Sequence, residues 1–256
     1  MIEDLLKAVR EIRHAVGISQ GEQILYRNLA SICGTMIQSD VLMLTRQGRA
    51  LQVFRMPGTE NILEPYWEKG ASLAERRAES LASTDRILEN ASLRSYGVGI
   101  GGRSIRNLII PLVAAGERVG TMIVCRRDEA YSDEDKMIAE MTSTLAAQAM
   151  SEANMKRIAQ ERLSGDMVRA AFATLSFSER DAVRHIFNEM SEREGILVAS
   201  RLAQREGLTR SVIVSALRKL ESGGIIECRS LGVKGTFIRV LNPSMREELA
   251  RYVVGA

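Results

Sequence analysis

The chain is 256 residues long, 45% hydrophobic and 26% charged, and carries a net charge of +3. This profile fits two soluble globular domains and excludes a fibrous repeat or a wholly disordered chain. Cys33, Cys125 and Cys228 stand far apart with no CxxC spacing, and no run of 18 apolar residues occurs, which argues against a disulfide framework, a structural zinc site and a membrane span.

From residue 1 to about Cys33 the apolar spacing predicts two amphipathic helices separated by the turn-like GISQGE, Gly17 to Glu22. Glu3, Asp4 and Glu11 interrupt the first of them, so it lacks the core of a secretory signal, and the expected location is cytoplasmic with no membrane partner. DVLMLTRQGRALQVF, Asp40 to Phe54, reads as a hairpin turning at Gln47-Gly48. From Pro57 to Asn90 the sequence is charged and helix-forming, with a break at Lys69-Gly70, and YGVGIGGR, Tyr96 to Arg103, reads as a loop or irregular strand.

NLIIPLVAAGERVGTMIVCRR, Asn107 to Arg127, predicts a second hairpin turning within Ala115 to Arg118. Its glycines do not make a phosphate-binding loop: GERVGT is one residue short of GxxxxGK[ST] and has no Lys. In YSDEDKMIAEM, Ser132 caps a helix and Asp135 answers it, while acidic residues fill the first turn. The helical pattern then runs to about Arg162, roughly 45 Å at 1.5 Å per residue, and Ser164-Gly165 reads as a joint. This order of elements is α+β, an antiparallel sheet with flanking helices. The sequence PL, GERVGT, MIVC, YSDED resembles the closing half of a GAF domain, a small-ligand sensing fold.

In the last eighty residues Ser178 is expected to cap a helix reaching about Met190, and Leu197 to Glu206 to form a short second one. Gly207 supplies a turn and Thr209 caps a third helix. Ala203 is small where two helices cross steeply, and four residues later Gly207 permits a backbone closed to most residues: this is helix-turn-helix spacing. IIECRS and TFIRV, joined by LGVKG, then form a winged hairpin. On the third helix Ile213, Ala216, Leu217 and Leu220 share one apolar face, while Arg210, Ser211, Ser215, Arg218 and Lys219 stand off it.

Between Gly195 and Arg239 eight basic residues face three acidic ones, so this segment is cationic and the remainder slightly acidic. Double-stranded DNA is the expected partner, because each phosphate neutralised by Lys or Arg releases condensed counterions. The candidate DNA-contacting residues are Ser200, Ala203, Thr209, Arg210, Ser211, Ser215, Arg218, Lys219, Lys234 and Thr236. An arginine at the N-terminal end of such a helix can pair bidentately with guanine, whereas Lys234 and Thr236 on or beside the wing suit phosphate.

The run from Leu197 to Asn242, with ASxxA, GxTRSVIVxALRKLES and IExRSLGxKGT, resembles the DNA-binding domain of the CodY family, global nutritional repressors of low-GC Gram-positive bacteria. GERVGT and LSFSERDAVRHIFNE, Leu175 to Glu189, are similar to the family's as well. The resemblance implies a GAF-like sensing domain at 1–131, a long linking helix at 132–175 and a winged helix-turn-helix at 176–256. It further implies a homodimeric transcriptional repressor, not an enzyme. Its effector is a small molecule, a branched-chain amino acid or GTP, and no cofactor or metal is expected.

From about Gln52 to Ile105 the chain departs from the family. ILEPYWEKGASLAERRAES, Ile62 to Ser80, has no Arg or Met where the family's ligand-binding helix would run, and no Phe-Pro pair follows. The effector-binding residues are therefore unassigned; Arg76, Arg77, Arg94, Arg103 and Arg106 are generic partners for a carboxylate. A reading from another class is a ligand-binding or redox GAF-type enzyme with a C-terminal interaction module that does not bind DNA. It is disfavoured because Cys125 and Cys228 fall in predicted strands, where a small buried hydrophobe is the simpler role.

Overall fold

A computed structural model describes residues 2–19, 21–59, 62–99, 104–190 and 193–254. The two predicted N-terminal helices are α1 (Ile2–Ile18) and α2 (Glu22–Met36), and the first hairpin is β1 (Asp40–Thr45) with β2 (Ala50–Phe54). After α3 (Glu75–Ala82) and the short β3 (Leu88–Glu89) comes the second hairpin, β4 (Ile105–Ala114) with β5 (Glu117–Arg127). The strands form one antiparallel sheet in the order β2-β1-β5-β4-β3. Ala115 and Gly116 both have positive φ, 51° and 79°, the two-residue turn whose twist suits a hairpin.

DVLMLT is apolar without alternation because both faces of the sheet are covered. Val41 and Met43, with Met122 and Val124 of β5, meet Leu29 and Cys33 of α2 and Ala139 and Ala146 of α4 (Asp133–Ala173). Leu42 and Leu44, with Ile123 and Cys125, meet a layer built from Ile62, Leu63, Trp67, Leu73 and Leu81. That layer corrects the expectation of helices from Pro57 to Asn90: among the described residues of that stretch eight, Glu75–Ala82, are helical. Pro57, Gly58, Pro65 and Gly70 break the rest, and its apolar side chains instead seal the outer sheet face. Of the predicted loop Tyr96 to Arg103, residues 100–103 lie outside the described residues, as does the generic candidate Arg103.

Gly120 of β5 leaves no room for a side chain against β1. A Cβ there would run into the Leu44 carbonyl oxygen and lie 3.0 Å from Met150 Sδ. Gly120→Ala is expected to destabilise the protein by about 2 kcal/mol, the cost of overpacking a tight site, read as a lower urea midpoint.

Ser132 and Asp135 open α4 with the predicted reciprocal cap: the Asp135 amide donates to Ser132 Oγ at 3.1 Å and the Ser132 amide to Asp135 Oδ2 at 3.0 Å. The helix then continues without a break to Ala173, so Ser164-Gly165 is not a joint. Ser164 Oγ donates to Asn242 Oδ1 at 2.7 Å, and Gly165 is buried where a Cβ would lie 3.1 Å from both Arg169 and Glu248. The small residues serve packing.

The chain divides into two compact units, Met1–Met155 and Lys156–Ala256. In the second, the last turns of α4 join α5 (Phe177–Glu189), β6 (Glu194–Leu197), α6 (Ala199–Glu206), α7 (Arg210–Ser222), β7 (Ile226–Ser230), β8 (Thr236–Val240) and α8 (Met245–Val254). Val168 and Phe172 of α4, with Leu175 just beyond it, pack with Val183, Ile186, Leu202, Ile213 and Leu220 in one core. Leu197, expected in a helix, belongs to β6, which pairs with β8 and adds a third strand to the wing sheet in the order β6-β8-β7. Among the described residues no helix is long and apolar enough to cross a membrane.

Candidate nucleic-acid interface

The second unit is aligned from its first cap. SFSE, Ser176 to Glu179, forms a capping box, with the cap at Ser176 rather than Ser178. This brings the Glu179 carboxylate, 6% exposed, under α7. There it accepts from Ser215 Oγ at 2.6 Å, from Lys219 Nζ at 2.7 Å and from the Ser176 amide at 2.7 Å. Lys219, then Ser215 and the Ser176 amide, hold its pKa at about 2, below the usual carboxylate range. Lys219 also donates to the Thr174 carbonyl at 3.0 Å.

At the other end of α7, Gly207 takes φ 67° as the C-cap of α6, and the Thr209 hydroxyl accepts from the Val212 amide at 3.4 Å. Ile213, Ala216, Leu217 and Leu220 are buried as their spacing requires. The polar part of the helix divides in two. Ser215 and Lys219, four residues apart, point towards α5 and bind Glu179. Thr209, Arg210, Ser211 and Arg218 are exposed, with the Thr209 and Ser211 hydroxyls 2.9 Å apart.

Charge is distributed with the same asymmetry. Arg205 pairs with Glu206 and Glu189, Arg239 with Glu194 at 3.0 Å and Glu227 at 3.6 Å, and Lys219 with Glu179. Among the described residues Arg201, Arg210, Arg218, Arg229 and Lys234 hold no ion pair. Lys234 is exposed at the turn between β7 and β8 and Thr236 is half-buried at the start of β8. Gly235, φ 110°, fixes that turn; a Cβ on it would lie 2.5 Å from the Leu197 carbonyl oxygen.

Of the ten sequence candidates, Ser200, Thr209, Arg210, Ser211, Arg218 and Lys234 thus lie exposed, and Thr236 partly so. Three are placed otherwise. Ala203 is 8% exposed in the core, filling the helix crossing for which its size suits it. Ser215 and Lys219 are spent on Glu179, a residue 36 and 40 positions away. Glu179 was not among the candidates; its signal was the Ser-x-x-Glu spacing of SFSE, which predicts a cap but not what the carboxylate meets beyond it.

In the first unit Arg118, within GERVGT, is half-buried. It donates to the carbonyls of Leu81, Thr84 and Gly120 and to the Thr121 hydroxyl, all neutral acceptors. Burial, and then the Arg46 cation, lower its pKa.

Comparison with known proteins covers nearly the whole chain. Residues 4–174 match the family model described as the CodY GAF-like domain, and residues 193–253 that described as the CodY helix-turn-helix domain. The chain is 35% identical over 253 residues to a global transcriptional regulator CodY of Lysinibacillus sphaericus, covering 96% of this chain and 98% of that protein. It is 34% identical over 260 residues to one from Bacillus mycoides, covering 97% and 98%. Among solved structures, the cofactor-binding GAF domain of the nutrient sensor CodY from Clostridium difficile matches with a TM-score of 0.41 and 21% identity, covering 56% of this chain and 94% of that one.

Proposed function

The chain belongs to the CodY family of global transcriptional regulators, and from that premise we propose a homodimeric repressor that reads its operator with the first turn of α7. It is a regulator with a GAF ligand-binding domain and a helix-turn-helix DNA-binding domain. In functional terms, residues 1–131 sense the effector, 132–175 connect and 176–256 bind DNA.

In this reading α7 enters the major groove N-terminus first. Arg210, with Thr209 and Ser211, meets base edges; Ser200, Arg218, Lys234 and Thr236 meet the sugar-phosphate backbone and fix register. Ala203, Ser215 and Lys219 position α7 and do not touch DNA. The observation that carries this reading is that Arg210 is exposed and unpaired while Arg205, Lys219 and Arg239 are neutralised within the chain.

The effector is a branched-chain amino acid, GTP or both, held by the first unit. Coupling of about 1–3 kcal/mol would change operator affinity roughly 5- to 150-fold, by altering how the two DNA-binding units of a dimer are spaced over half-sites. An enzymatic role is not part of this reading. Cys33 and Cys125 are both 0% exposed, and burial pushes the Cys33 thiol up to about 12, far from the thiolate that redox chemistry requires.

Selection from a random duplex pool with the full chain tests the reading: a discrete, palindrome-like site is expected, and enrichment of no sequence would overturn it. On that site Lys234→Ala is expected to weaken specific and nonspecific duplexes alike and to lower the slope of log affinity against log salt by about 1. Titrations at several salt concentrations measure both.

A further inference from the structure

The tip of the wing, between β7 and β8, is a closed and rigid turn. Gly232 and Gly235 hold positive φ, 63° and 110°, at the start and just past the end of the short helical turn Gly232–Lys234. The Leu231 amide donates to the Gly235 carbonyl at 2.8 Å and the Gly235 amide to the Gly232 carbonyl at 3.2 Å, so the backbone fastens the turn on itself. Gly235 also lies against the Leu197 carbonyl of β6, which ties the tip to the third strand of the wing sheet.

Val233 is the middle residue of this turn, and its side chain is fully exposed. It adds nothing to the core of the unit. Beside it Lys234, and Arg229 of β7, are exposed and hold no ion pair among the described residues. Single apolar residues are ordinary on protein surfaces. This one is fixed on a rigid mount between free cations, in the unit that carries α7. The minor groove of B-DNA, about 6 Å wide, admits single side chains, and its negative potential attracts cations where A·T runs narrow it. Apolar side chains are among those that proteins place there.

From the closed turn, the exposed apolar side chain and the free cations beside it, we infer that Val233 is a second base-reading residue: it enters the minor groove beside the α7 contact and selects A·T over G·C pairs. Lys234 and Arg229 hold the phosphates along the edges of that groove. The selectivity has a chemical cause. Both kinds of pair carry acceptors on the minor-groove edge, so stripping water from these does not discriminate. Only G·C adds a donor, the guanine 2-amino group, and a valine methyl would desolvate it without accepting its hydrogen bond. This rests on the reading of the second unit as an operator-binding domain and adds a position to what that domain reads.

The random-duplex selection is run with the full chain and with Val233→Thr, which keeps the size and replaces a methyl by a hydroxyl able to accept from the guanine amine. Wild type should select A·T beside the bases read by α7, and the variant should lose that preference alone. Wild type is then titrated with base analogues at that position. Diaminopurine·T adds only the minor-groove amine to an A·T pair and should weaken binding about 10-fold, as G·C does. Inosine·C resembles G·C in the major groove but has no minor-groove amine, and should bind as A·T does. On the diaminopurine duplex Val233→Thr should lose about 2-fold or less. The unfolding midpoint of the variant should match wild type, since Val233 is fully exposed, and the analogue titrations need no variant. No A·T preference beside the α7 bases, one that both proteins share, tolerance of diaminopurine by wild type, or a loss with inosine·C as large as with G·C overturns the proposal. Selection of no site at all would overturn the regulator reading itself, so the two failures are distinguishable.

Discussion

Arg210→Ala is expected to lower affinity for the selected operator by about 10- to 100-fold while leaving nonspecific duplex binding nearly unchanged. The size follows from one bidentate arginine-base contact, worth about 1–3 kcal/mol of discrimination. The location follows from the fold: Arg210 is the first residue of α7, is exposed and has no partner to release before binding. Specificity should therefore flatten at one base position of each half-site, measured by repeating the selection with the variant. Its unfolding midpoint should hardly move, since among the described residues the exposed Arg210 side chain makes no hydrogen bond or ion pair. An Arg210→Ala protein that lost specific and nonspecific binding in proportion would show that this arginine only anchors phosphate. The same comparison with Lys234→Ala separates reader from anchor.

Glu179→Gln is the larger structural lesion, expected to cost about 3 kcal/mol at neutral pH, because a carboxylate held about two pH units below its unfolded value stores free energy of that order. Gln can still accept from one partner, but the charge that binds Lys219 is gone, and Lys219 loses its ion pair. The pH dependence has a definite sign. The folded pKa of Glu179, about 2, lies below the value near 4.5 of an unperturbed carboxyl. Its contribution is therefore complete above about pH 5 and is lost as pH falls from there towards 2. Urea midpoints of wild type and Glu179→Gln should differ most at neutral pH and converge across that acid window. A constant gap from pH 7 to pH 3 would show that the residue acts through its shape and not its charge. Operator affinity should fall too, since Ser215 and Lys219 fix the rotation of α7 about its axis.

Much of this was legible in the residues. Hairpins appeared as apolar runs about Gln47-Gly48 and Ala115-Gly116, the cap of α4 as Ser132 with Asp135, and the helix-turn-helix as Ala203, Gly207 and Thr209 at their spacing. These are local signals: a turn, a cap or a helix face is fixed by residues within one or two turns of each other, so the sequence carries it whole. The apolar stripe Ile213, Ala216, Leu217, Leu220 likewise needed only a period of 3.6.

The remainder depended on partners distant in the chain. Residues 57–59 and 62–74 look helix-forming by composition but fold as an irregular cover, because Ile62, Leu63 and Trp67 find the outer face of a sheet whose strands lie on both sides of them in sequence. Leu197 becomes a strand residue because β8, forty positions on, offers it a free edge. By itself, then, the sequence determined that α7 has one buried face and a basic, hydroxyl-rich remainder, and that this belongs to a DNA-binding unit. Which polar side chains stay free, Arg210 and Arg218 rather than Ser215 and Lys219, only the tertiary structure decided. Periodicity sets angles about a helix axis, whereas a buried carboxylate delivered from another helix sets which of those angles is already occupied.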